Sequence, residues 1–195
     1  MALIAPKPPQ QALDAMHSTF LDLSRNRAFR IPALRNAAGP LQLAEPHQVF
    51  TLGLTDLAAG KGLDAARPTG WRYLVQEGDN VLASAETVAG PRGEQVFSTL
   101  NEGRFVDSSA KAMRAARDSP EVGQGGFELR LLNVPGLYVL ALWLHGAQGK
   151  GDLLVPLAPS PVETPAGKPV AAAVLLKELA DKARAPIGAA DRSGG

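Results

Sequence analysis

Apolar residues recur along this chain at two spacings, and each spacing predicts one kind of element. Leu13, Met16, Phe20 and Leu23 stand three or four apart, which puts them on one face of a helix over 11–25. Val170, Val174, Leu175, Leu179 and Ala183 follow the same rule over 170–185. Pro169 precedes them, a residue that suits the first helical position because its missing amide hydrogen has no partner there anyway. A third helix, 108–117, has a small apolar side of Ala110, Met113 and Ala116, with Asp107 as N-cap and Pro120 as stop.

Elsewhere the period is two, or the apolar run is unbroken. Phe127, Leu129 and Leu131 alternate with Glu128 and Arg130, the pattern of a strand with one buried face. Leu137 to Leu144 holds no polar group apart from the Tyr138 hydroxyl and the Trp143 indole. It reads as a central strand buried on both faces, with 152–157 as its partner. His47 to Leu54 is another strand, and 71–88 forms a hairpin about Gly78-Asp79-Asn80. Residues 94–100 fit either a strand or a helical turn, and 26–46, with three prolines, reads as an irregular connection.

These elements predict an α+β fold: a single, mainly antiparallel sheet of roughly five or six strands with two or three flanking helices. The expected organisation is an extended N-terminal arm over 1–10, a globular domain over 11–158, a Pro-rich linker over 159–169, a C-terminal helix over 170–185 and a flexible tail over 186–195. The 20 glycines and 16 prolines fall mostly between apolar runs, as turns between short elements do.

Composition narrows the chemistry. Twenty Lys and Arg against 19 Asp and Glu give a net charge of +1, so no bulk field draws nucleic acid or an acidic membrane. The absence of cysteine excludes disulfides, thiolate nucleophiles and thiolate metal sites. With three histidines, no metal and no cofactor is expected. Val134 to Leu144 is far short of the ~20 residues that cross a bilayer, so no membrane insertion is expected. The expected compartment is the cytoplasm of a bacterium.

Five groups of residues are candidates for function. His145, at a strand end, is the one catalytic candidate among His17, His47 and His145; no Gly-x-Ser-x-Gly elbow accompanies it. Gly146, Gly149, Lys150 and Gly151 form a Gly/Lys loop that could cradle an anion, but a strand rather than a helix follows, as fits a hairpin turn. Ala59-Gly60-Lys61-Gly62 has the same character. Glu128, Asp152 and Glu163 lie near strands without a spacing that pairs them. Lys111, Arg114 and Arg117 share one side of a helix and could meet an acidic partner or phosphate. Leu175 and Leu179 could pack on the chain's own sheet or on a second subunit. From these features the expectation is a non-catalytic interaction or assembly protein. It would act on a protein partner or as a homo-oligomer, through surfaces and terminal arms, with no nucleic acid. The alternatives are a small hydrolase-like enzyme near His145 and an anion or small-molecule binder using the Gly/Lys loops.

Overall fold

The helical spacing of the first apolar run is realised as α1 (Gln10–Arg25), which buries Ala12 and Met16. The computed structural model describes residues 3–123, 126–147 and 149–191, with side chains followed as far as 185. After α1 come α2 (Pro32–Arg35), β1 (Leu41–Thr51), α3 (Leu54–Ala58), β2 (Arg67–Glu77), β3 (Asn80–Ala89) and β4 (Gln95–Asn101). The second half holds α4 (Arg104–Asp118), α5 (Pro120–Gly123), β5 (Phe127–Val134), β6 (Val139–Gly146), β7 (Leu153–Pro156), β8 (Val170–Ala171) and α6 (Ala172–Asp191). No helix among the described residues is long and apolar enough to cross a membrane.

The α+β class holds, but the sheet departs from the expected one. It has eight strands in the order β4-β3-β2-β1-β5-β6-β7-β8. It is mixed rather than antiparallel throughout, because β1 pairs with β5 in parallel, Val49 opposite Leu131. The chain leaves the β4 edge, crosses one face through α4 and re-enters beside β1. Two antiparallel halves thus meet at one parallel ladder, which no local periodicity encodes.

Several elements begin elsewhere than expected. β1 starts at Leu41, inside the stretch read as irregular. A bulge at Glu45 and Pro46 lets the strand absorb the proline, which has no N–H for a ladder. Residues 95–101 are a strand. α4 starts at Arg104 behind Gly103, so Asp107 lies in its first turn and is not its N-cap. Val170 and Ala171 pair with β7 before α6 begins. That helix runs on past Pro186, since a proline removes one hydrogen bond from a helix without compelling it to stop. Of the expected tail, 192–195 lie outside the described residues, as do Gln124, Gly125 and Gln148 of the expected turns.

Alternation distributes the apolar side chains over both faces. On one face α1 and α2 cover Trp71, Tyr73, Val75, Ala83 and Ala85, while α3 and α6 cover Leu132, Val134, Val139, Ala141 and Trp143. On the other face Ala112, Met113 and Ala116 of α4 pack over Leu74, Leu129, Leu131, Leu142 and Leu144. The small residues of α4 bring its last turns close to the sheet. The N-terminal arm joins this face: Leu3 enters the core, and Ile4 bridges Glu128 in parallel along the part of β5 that β1 leaves unpaired.

Candidate functional site

Beneath the first turns of α4 the sheet and helix separate around a cavity of about 420 Å³. Its walls are mostly apolar: Val49, Leu131, Phe105, Val106, Val139 and Leu140. Its polar end is formed by Arg72, Glu86 and Asn101, with Glu102, Asn133 and Tyr138 also lining it.

Arg72 is the unusual member. It sits in the apolar run Trp71–Val75 of β2 and is 1 % exposed. Cross-strand pairing flanks it with His47 of β1 and Glu86 of β3 on the same face. Its Nη2 donates to Ser84 Oγ at 3.0 Å. Its Nε lies 3.5 Å from Glu86 Oε1, an ion pair without a hydrogen bond, and Nη1 has no acceptor among the described residues. Burial pulls its pKa below the ordinary arginine value, against the pull of Glu86, yet a guanidinium stays charged in proteins. Asn101 Nδ2 donates to Glu86 Oε1 at 3.3 Å. Glu86 is therefore held as the counter-charge.

His47 is fully buried, and its pKa falls from 6.5 to about 3 through loss of solvent first and the neighbouring Arg72 charge second. It is neutral at physiological pH. Nδ1 lies 2.7 Å from the Glu45 carbonyl oxygen, which makes Nδ1 the protonated nitrogen, and Nε2 has no partner among the described residues. Glu45 itself, at φ +53 in the bulge, is ion-paired to Arg117 of α4. Tyr138 stands at the rim, 84 % exposed and left-handed at φ 54, a conformation that costs a non-glycine residue on the order of 1 kcal/mol or more.

The residues singled out by sequence lie elsewhere. His145 Nδ1 is 3.0 Å from Asp152 Oδ1, and Asp152 also accepts from Trp143 Nε1 at 2.9 Å and the Gly146 amide at 2.8 Å. Among the described residues no hydroxyl is hydrogen-bonded to His145, and the His145–Asp152 pair anchors the turn. The Gly/Lys loop is a hairpin turn in which the Ala147 amide donates to Gly126 and the Lys150 amide to Ala147. Gly146 is required there, because a Cβ would lie 2.3 Å from the Lys150 carbonyl oxygen, and Gly149 turns at φ +81. The Lys150 ammonium lies 5.3 Å from the Phe127 ring centre, and Gly151 leads into β7. Ala59 to Gly62 follows α3, and Lys61 is tied to Asp56 at 2.7 Å.

Glu128 pairs with Arg130, whose guanidinium lies over the rings of Phe50 and Trp143. Glu163 belongs to the loop that Glu178 of α6 holds through its backbone amide. Lys111 and Arg114 are exposed on α4, whereas Arg117 is held by Glu45. Leu175 and Leu179 are fully buried under this chain's own sheet. No three His, Asp or Glu side chains gather into a metal-binding group among the described residues.

Sequence reasoning missed Arg72, Ser84, Glu86 and Asn101. One signal was present: a charge inside the unbroken run Trp71-Arg72-Tyr73-Leu74-Val75. A charge in a strand buried on both faces needs a partner. Comparison of the chain with protein-family models, with curated proteins and with solved structures finds no match.

Proposed function

We propose that this protein is a non-catalytic binding protein that holds a small, largely apolar molecule in the cavity between α4 and the sheet. One observation carries the reading: a mostly apolar cavity of about 420 Å³ has in its lining a buried guanidinium with two nitrogens that find no acceptor among the described residues. That volume lies in the range of small-molecule sites, roughly 300–1,000 Å³. An unpaired buried donor costs about 1–3 kcal/mol, which a ligand acceptor offsets. A thermal-shift screen of small apolar compounds tests the reading. A ligand at 100 times its dissociation constant adds ~2.7 kcal/mol of stability. Leu140→Trp, which fills the cavity, abolishes the shift; a screen without hits, or hits indifferent to that substitution, overturns the proposal.

The assembly reading draws support from a different place. β4 forms one edge of the sheet, and near its outer end the paired Val88 and Val96 are both exposed. An unprotected edge is a template for pairing with another strand. The arm and α6 are engaged by the chain's own sheet, so under this reading β4 is the joining surface. Light scattering after size exclusion tests it. A dimer that Val96→Lys converts to monomer supports assembly, and a monomeric wild type ends it.

A further inference from the structure

We infer that the ligand of the Arg72 cavity is an uncharged molecule whose carbonyl or hydroxyl oxygen accepts a hydrogen bond from Arg72, and not a carboxylate or an ammonium. The inference rests on the cavity-binding reading above and concerns the charge of the occupant.

The charges at the polar end are already balanced. Arg72 contributes one positive charge, and Glu86, on the adjacent strand and the same face, one negative charge. The Asn101 amide donates to Glu86 and occupies that carboxylate oxygen. His47, the other neighbour of Arg72, is neutral with its proton directed at the Glu45 carbonyl. The remaining charged residue of the lining, Glu102, is exposed and solvent-screened.

A carboxylate entering the cavity would leave an excess negative charge beside Glu86 among Val49, Leu131, Val106 and Leu140. An ammonium would face Arg72 while Glu86 is engaged by Asn101 and Arg72. Both charges would be desolvated without a free partner, which apolar surroundings penalise strongly. A neutral acceptor satisfies an orphan N–H of Arg72 and leaves the balance unchanged. The rest of the molecule fills the apolar walls.

The test uses the full chain and four eight-carbon probes: methyl hexyl ketone, octanol, octanoate and octylamine. Affinities come from calorimetric titration at fixed ionic strength. The expected order places the ketone and the alcohol ahead of both charged probes by on the order of tenfold or more. Glu86→Gln keeps the side-chain shape and removes the counter-charge, so octanoate should gain affinity by a similar factor while the ketone changes little. Leu140→Trp should abolish binding of all four.

Octanoate matching the ketone on the wild type overturns the inference and leaves cavity binding standing. So does an unchanged order in a folded Glu86→Gln variant; should that variant not fold, the wild-type order decides. Binding that survives Leu140→Trp places the ligand elsewhere and overturns it as well. Failure of every probe on the wild type removes the cavity-binding reading and the inference with it.

Discussion

The two halves of the sheet solve the same burial problem differently. In β5 to β7 the buried positions are apolar throughout: Phe127, Leu129, Leu131, Leu132, Leu142, Trp143, Leu144, Leu154 and Val155. In β1 to β3 the buried set includes His47, Arg72, Ser84 and Thr87. The first half maximises the area removed from water, worth about 25 cal/mol per Å². The second spends interior positions on polar groups, one of them a charge that hydrogen-bonds incompletely. Such a group contributes little or nothing to stability compared with a hydrophobic residue of similar volume. The difference teaches where to look for function: in the half that folds less efficiently than it could.

Two substitutions of unequal cost put this contrast to the strongest trial. Leu142→Ala, in the apolar half, should cost ~2–5 kcal/mol in a urea melt, the usual toll of a cavity in a packed core. Arg72→Met, in the polar half, should cost less than that, because the guanidinium takes its two unaccepted donors with it and Glu86, with 28 % of its side chain exposed, keeps water and Asn101 as partners. The same variant should lose ligand binding. A loss of stability in Arg72→Met comparable to that of Leu142→Ala would show that Arg72 is structural and erase the contrast.

A medium effect is expected from pH. His47 titrates at about 3 in the fold against 6.5 for the ordinary side chain, a depressed value caused chiefly by burial. Between those values the unfolded chain binds a proton that the fold refuses. Stability from this residue is therefore complete above pH 6.5 and falls as the pH drops toward 3, by up to ~1.4 kcal/mol per pH unit. Comparing melts of the wild type and His47→Gln across that window checks it: the variant should show the shallower decline. Parallel curves would mean that His47 is hydrated in solution.

The smallest effect concerns the rim. Asparagine tolerates the left-handed conformation better than tyrosine, and the exposed Tyr138 side chain contributes little packing. Tyr138→Asn should raise stability by about 1 kcal/mol or less while weakening ligand affinity. A destabilised variant with unaltered affinity would separate the strained rim from the cavity.

How much of this was legible depended on whether the relevant contact was local. Helices at 11–25 and near 108–117, the 71–88 hairpin and the buried stretch from Phe127 to Val155 follow from spacing alone, because period and side-chain direction are properties of single elements. The candidate site was not legible in the same way. After the turn, Glu77 faces Asn80 and Gln76 faces Val81. Continued unbroken, that register would set Arg72 against Ala85. A bulge at Leu82 shifts the ladder by one residue and sets Arg72 against Glu86. One extra residue decides whether the charge has a partner.

By itself, then, the sequence determined the apolar faces, the three longest helices and the identity of the second half of the sheet as a greasy layer, since these need only neighbours a few residues apart. The parallel pairing of β1 with β5, the docking of the arm beside β5 and the cavity under α4 were decided by the tertiary structure. Each depends on residues far apart in the chain arriving on one face of one sheet, and on which face they arrive is set by register, crossing and bulge rather than by local pattern.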